Sequence, residues 1–364
     1  MRPATFATGI RLTLMFWTHS LTNVCRMQAS LHNNVKLKCY KPKCCKTSTT
    51  VGNIMESALM LAEVLNNVEK VIIGKREAIE LTLCSFLCQG HVLIEDMPGV
   101  GKTSLVSAIA KSFDCTFKRI QFTPDILPSD ITGFSMYKQN VGEFEYHPGA
   151  IMSQIILADE INRTSPKTQS SLLEVMEENQ VTVDGKTYQV PKPFIVFATQ
   201  NPIEYLGTYP LPEAQLDRFF MRISLGYPTP EQESKMLSRF NTKNPLLDLT
   251  PIATAEDLIK AQEEVSNIYV KETINDFIVN IVNNTRTNQD IALGASPRAS
   301  LCLYKAAQAF ALFNKRDYVT PDDVLKMAIP ILEHRLVLKQ ETRLKKLNVK
   351  DIIIDLLKRV KAPL

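Results

Sequence analysis

Short apolar runs and longer amphipathic stretches alternate through most of the chain. The runs at 92–94, 117–122, 155–158, 194–199 and 221–225 have strand length, and segments of helical spacing with polar faces separate most of them. Apolar strands alternating with helices predict a parallel sheet covered on both faces. Upstream, between residues 59 and 88, two helical patterns flank the apolar turn Val71-Ile72-Ile73-Gly74-Lys75. Two insertions break the alternation. Residues 133–148 carry a turn signal from Asn140 to Gly142 between β-type residues, and 180–190 read as a hairpin around Asp184-Gly185. Strand signals stop after Tyr227-Pro228-Thr229-Pro230. Helical spacing then recurs at 231–240, 255–265, 271–285, 297–316 and 321–334, and an amphipathic segment follows at 348–360. Thr320-Pro321-Asp322-Asp323 opens one of these helices with a cap, a proline at the first position and acids in the first turn. The predicted fold is α/β: a parallel-sheet core at 53–228, an all-helical second domain at 229–364, and a disordered extension at 1–52.

With 364 residues the chain is long enough for two cores. Its net charge of +4 is unevenly spread: residues 1–55 hold eight bases and no acid, which leaves 34 bases against 38 acids in the remainder. A mildly acidic body argues against nucleic acid as the main partner, because phosphate binding needs a concentrated basic surface. No apolar run approaches the roughly 18–20 residues of a membrane-spanning helix. Among the eight cysteines, Cys39, Cys44 and Cys45 lie close together, yet they form no C-x-x-C pair and have no histidine at a matching distance. Zinc is therefore not predicted, and a cytoplasmic protein with free thiols is expected.

The chemistry concentrates at strand ends. Residues 92–103 read V-L-I-E-D-M-P-G-V-G-K-T, an apolar strand entering the loop Pro98-Gly99-Val100-Gly101-Lys102-Thr103-Ser104. Gly99 and Gly101 let the backbone curl so that successive N–H groups point at phosphates; Lys102 reaches the β/γ-phosphates and the Thr103 hydroxyl suits Mg²⁺. A helix beginning near Ser104 turns its positive end to the same phosphates. One position departs from the full pattern, since Asp96 stands where glycine is expected. Asp159 and Glu160 end the run at 155–158, where Asp159 would share the Mg²⁺ shell with Thr103 and Glu160 would deprotonate the attacking water. Asn201, after the run at 194–199, can hydrogen-bond the γ-phosphate or its water without adding charge. Arg218 ends a helix just before the last strand, and Arg298 opens a helix of the second domain. Either could stabilise the charge that builds on a transferring phosphoryl group, or form an ordinary surface ion pair.

Taken together, Glu95–Thr103, the block Gln121-Phe122-Thr123-Pro124-Asp125-Ile126-Leu127-Pro128-Ser129-Asp130-Ile131-Thr132-Gly133, and the stretches 157–163, 198–202 and 208–219 resemble the signature blocks of the MoxR family of AAA+ ATPases. The likeness runs through Gly294-Ala295-Ser296-Pro297-Arg298 into the helical part and leaves only the N-terminal extension uncovered. It implies an AAA+ P-loop core with a helical lid, ATP and Mg²⁺ as cofactors, and an acid as a common occupant of position 96. By the same resemblance Asn201 is the first sensor, Arg298 a second sensor reaching back to the γ-phosphate of its own subunit, and Arg218 the finger inserted into the neighbour's site. The insertions at 133–148 and 180–190 are similar to the helix-2 insert and the hairpin before the first sensor. Members of the family are pictured as hexameric, chaperone-like ATPases that remodel or mature protein complexes. They often serve metal-cofactor insertion, with a von Willebrand factor A domain protein as partner. The rival expectations are a DNA-remodelling motor of the helicase type and a magnesium-chelatase-like motor subunit.

Overall fold

The computed structural model describes residues 48–140, 142–201, 207–240 and 245–363. The predicted extension lies outside them as far as residue 47, as do Val141 and Pro202. Helices α1 (Ser48–Glu69) and α2 (Arg76–Leu87) precede β1 (Val92–Glu95), which leads through the glycine loop into α3 (Lys102–Ser112). Then come β2 (Phe117–Gln121), α4 (Pro128–Thr132), the hairpin β3 (Gly133–Lys138) and β4 (Glu143–Pro148), and β5 (Ile155–Asp159). Helix α5 (Pro166–Glu178) carries the chain back to a second hairpin, β6 (Gln180–Val183) and β7 (Lys186–Gln189). The core closes with β8 (Ile195–Gln200), α6 (Glu213–Leu216) and β9 (Met221–Ile223). The five main strands pair in the order β2-β5-β8-β1-β9, all parallel.

Period-two alternation in the central strands decides how the sheet is covered. Val92, Ile94, Ile155, Leu157, Ile195 and Phe197 face one apolar cluster, while Leu93, Ile156, Ala158, Val196 and Ala198 face another. Both faces are buried, as the apolar runs predict for parallel strands. On the first face Phe86, Phe113 and Phe197 form a fully buried aromatic group, with Phe86 centred 5.9 Å from Phe113 and 5.6 Å from Phe197. Strand β2 departs from the expectation of strands buried on both faces. It is the sheet edge, and Lys118, Arg119 and Gln121 on it are exposed.

The two insertions are antiparallel hairpins, and the second turns at Asp184 and Gly185 with φ of 50° and 76°. They touch through Tyr146 and Tyr188, whose rings stack at 4.0 Å.

The C-terminal part holds α7 (Pro230–Phe240), α8 (Ala255–Val265), α9 (Glu272–Thr287), α10 (Pro297–Phe313), α11 (Pro321–Leu332), α12 (Gln340–Leu344) and α13 (Val349–Arg359). A short ribbon of β10 (Ile291–Leu293) and β11 (Val337–Leu338) joins them. Thr320 caps α11 as its sequence suggests, and Asp323 closes the box by accepting from the Thr320 N–H at 2.8 Å. The helical part packs on α1 and α2, so that Leu258, Phe277 and Leu303 belong to the same apolar cluster as Leu83 and Val92.

Candidate functional site

The glycine loop leaves the carboxyl end of β1, the edge at which parallel sheets bind ligands. Gly99 (φ 81°) and Gly101 (φ 94°) adopt left-handed backbone that a side chain would strain, and Gly101 is the cap from which α3 begins. Pro98 and Gly99 are exposed, while Val100, Lys102, Thr103 and Ser104 are half-buried. Lys102 Nζ donates to the Asp96 carbonyl at 2.9 Å, so the lysine folds over its own loop. Asp96 has a structural use. Its buried carboxylate accepts from Ser224 Oγ at 2.8 Å and from the N–H groups of Leu225 and Gly226 at 2.5 and 3.1 Å. The acid ties the glycine loop to the chain that leaves β9 for the helical part.

Asp159 and Glu160 follow β5 at the same edge. Buried Thr199 serves both: its hydroxyl donates to Asp159 Oδ1 at 2.5 Å and accepts from the Glu160 N–H at 2.9 Å. Asp159 Oδ2 takes Arg119 Nε at 3.1 Å and Nη2 at 2.6 Å. Glu160 lies at φ 58°, a conformation costing a non-glycine residue roughly 1–2 kcal/mol. Its Oε2 accepts from Gln121 Nε2 at 2.8 Å and pairs with Arg163 at 3.1 Å. Asn201 is buried just past β8, the strand that lies between β5 and β1. The structure thus gathers the glycine loop, Asp159, Glu160 and Asn201 along one edge of the sheet. Thr103 and Asp159 offer oxygen donors only, which suits a hard divalent ion such as Mg²⁺. Among the described residues no group of three His, Cys, Asp or Glu side chains forms a cage. A cation here would draw its other ligands from phosphates and water.

The two remaining candidates are elsewhere. Arg218 follows α6 at the amino end of β9, and its Nε pairs with Glu177 Oε2 at 3.2 Å. Arg298, in the first turn of α10, reaches Glu177 Oε1 at 2.6 Å. Both line a cleft of about 640 Å³ with Gly90, His91, Phe194 and Phe220, residues that precede β1, β8 and β9. That is the edge opposite the glycine loop. In this structure Arg298 therefore stands away from its own phosphate loop, contrary to the expectation that it reaches back over it. Docking of the helical part on α1 and α2 carries the start of α10 to the far edge, where Glu177 at the end of α5 gathers both arginines. Asp217, next to Arg218 in sequence, pairs elsewhere. It accepts from Arg335 Nε at 2.8 Å and from Ser296 Oγ at 2.9 Å, so it fastens the Arg218 segment to the helical part.

Comparison with known proteins identifies the family. A family model described as the ATPase family associated with various cellular activities (AAA) matches residues 91–221, and an AAA lid domain model matches 283–355. The chain is 51% identical over 304 residues to the protein YeaC of Bacillus subtilis, covering 84% of this chain and 95% of that one. It is 41% identical to chaperone MoxR1 of Mycobacterium tuberculosis, over 83% of this chain and 82% of the relative. This chain belongs to the MoxR family of AAA+ ATPases. A crystal structure from Cytophaga hutchinsonii superposes with a TM-score of 0.81 at 38% identity, covering 87% of this chain and 98% of that one. Within this MoxR-family site, sequence reading passed over Arg119, Gln121, Glu177 and Thr199. Gln121 and Thr199 lie inside signature blocks, whereas Arg119 and Glu177 carry no motif of their own.

Proposed function

We propose that this chain is a Mg²⁺-dependent ATPase that acts as a ring of identical subunits and converts hydrolysis at each interface into remodelling of a protein client. The observation that carries this reading is the separation of the two groups of candidates. The glycine loop, Asp159, Glu160 and Asn201 share one sheet edge, and Arg218 and Arg298 share Glu177 at the other. Arginines so placed complete a site only when a second subunit docks head-to-tail, and repetition of that contact closes a ring. Six subunits are proposed by family likeness.

In this reading the N–H groups from Gly99 to Ser104 cradle the phosphates and Lys102 spans the β/γ-phosphates. Thr103 and Asp159 would hold Mg²⁺, which neutralises charge on the phosphate oxygens. Glu160 takes the proton from the attacking water, and Asn201 orients that water or the γ-phosphate. Arg218 and Arg298 leave Glu177 to meet the charge that develops on the neighbour's γ-phosphate. The proposed division is an extension at 1–52, an ATPase core at 53–228 and a lid at 229–364. A von Willebrand factor A domain partner, a role in metal-cofactor insertion and a cytoplasmic location are finer proposals by resemblance. The acidic body favours a protein client over the DNA of a helicase-type motor. A magnesium-chelatase-like role would differ mainly in its client.

The test is a division of labour. Lys102→Ala should abolish ATP binding, whereas Glu160→Gln should bind ATP as the parent does and cease to hydrolyse it. Nucleotide affinity and steady-state hydrolysis separate the two, and hydrolysis per subunit should rise with protein concentration. Near-parental turnover by Glu160→Gln would remove Glu160 as the base, and turnover independent of concentration would argue against shared sites.

A further inference from the structure

A carboxylate as buried as that of Asp159, whose side chain is only 12% exposed, needs partners in place of the water it has lost. The two oxygens find it differently. Oδ1 is held by the buried Thr199 hydroxyl, a fixture of the central strand β8. Oδ2 is held by Arg119, which stands on the edge strand β2 with its side chain 48% exposed. Arg119 is thus the movable member: it can swing into water while Thr199 keeps the carboxylate in place.

The same guanidinium reaches further. Arg119 Nη2 also donates to Gln121 Oε1 at 2.7 Å, two residues along the strand. A guanidinium only donates and a carboxylate only accepts, so the sense of the amide between them is chemically fixed. Its carbonyl must face Arg119 and its NH₂ must face Glu160, which it contacts at 2.8 Å. Asp159, Arg119, Gln121 and Glu160 form one continuous chain of contacts.

We propose that Arg119 is a positioning residue, a built-in counter-cation that occupies the Asp159 oxygen a divalent cation needs until that cation displaces it. The proposal rests on the nucleotide-site reading above. Two cations cannot share Oδ2 without strong repulsion. Arrival of the divalent ion therefore expels Arg119 and leaves the Gln121 carbonyl without that partner, while Glu160 keeps its contacts with Gln121 Nε2 and Arg163. Metal binding is weaker by the contact it breaks.

The test uses the full chain with Mn²⁺ as probe, titrated by electron paramagnetic resonance at a saturating non-hydrolysable ATP analogue. Arg119→Gln and Arg119→Met both remove the charge, and the second keeps an apolar stem on the edge strand. Each should bind Mn²⁺ about tenfold more tightly, the size of one hydrogen bond to a charged group. Arg119→Lys keeps the charge and should stay close to the parent, which a merely structural role for the side chain does not predict. Parental or weaker Mn²⁺ affinity in both charge-removing variants, with parental circular dichroism, overturns the proposal. Asp159→Asn in the same titration separates the two levels. If it binds Mn²⁺ like the parent, the metal assignment of Asp159 falls and the counter-cation role with it. If it loses the metal while neither Arg119 variant gains, the counter-cation role alone falls.

Discussion

His91 precedes the glycine-loop strand and is buried among neighbours that fix its tautomer. Nδ1 accepts from the Val196 N–H at 3.0 Å, so the proton resides on Nε2, which donates to the Met176 carbonyl at 2.9 Å. Burial lowers its pKa from 6.5 to about 4. The unfolded chain therefore takes up this proton first as pH falls, and stability present above pH 6.5 is lost progressively toward pH 4. At pH 5 the loss from this residue should be about 2 kcal/mol, a shift of one pKa unit being ~1.4 kcal/mol. Buried His334 shifts in the same direction. A glutamine can reproduce both hydrogen bonds without titrating. In chemical denaturation at pH 7 and pH 5, His91→Gln should lose correspondingly less stability than the parent, and equal losses would exclude His91 as a source of acid sensitivity. At this scale legibility was uneven. The loop glycines, Lys102, Asp159 and Glu160 are readable because phosphate chemistry fixes their spacing along one strand-turn unit. Thr199 and Arg119 are not, because each matters through a contact with Asp159 across neighbouring strands, 40 residues away in sequence.

Among elements, the join between α6, β9 and the helical part bears the most buried charge. Arg335 is 1% exposed; its Nε pairs with Asp217 at 2.8 Å, Nη2 donates to the Phe219 carbonyl at 2.5 Å, and Nη1 donates to the carbonyls of Phe220, at 3.2 Å, and Ile331. The segment it grips surrounds Arg218, and Ser296 on the same acid lies two residues before Arg298. One side chain thereby sets the relation between the two arginine-bearing elements. Arg335→Met should destabilise the chain by roughly 3–5 kcal/mol, the usual result of stripping one partner from a buried ion pair. A denaturation midpoint close to the parent's would show that the join does not depend on it. The elements themselves were mostly legible. Central strands, hairpins and lid helices follow from apolar period and turn residues, which are local signals. The exposed faces of β2 depend on its place at the sheet edge, and β10 and β11 are too short for a pattern, so neither was legible.

For the whole molecule, the geometry sets the glycine-loop residues at one edge of the sheet and the two paired arginines at the other. Glu177 sets one carboxylate against two guanidiniums within the subunit, and the arginine side chains are 33% and 41% exposed, so under the proposed function they are able to exchange that carboxylate for a phosphate. Sequence likeness points Arg298 at its own subunit, whereas the packing of the lid helices on α1 and α2, which no local sequence signal reveals, holds it at the far edge in this structure. The prediction follows from geometry. Arg218→Ala and Arg298→Ala should each bind ATP normally and turn over slowly, by roughly 10³-fold or more if both act as arginine fingers do. Each is then mixed with Glu160→Gln. A complete site needs Glu160 from one subunit and the arginine from its neighbour, so equal mixing should restore about a quarter of parental activity at head-to-tail contacts. An arginine serving its own subunit cannot be rescued in this way, because every subunit in the mixture lacks one of the two groups. Rescue of Arg218→Ala without rescue of Arg298→Ala, in oligomers shown to be mixed, would return Arg298 to its own phosphate loop and require the lid to swing there. Rescue of both would make each interface, rather than each chain, the unit of catalysis.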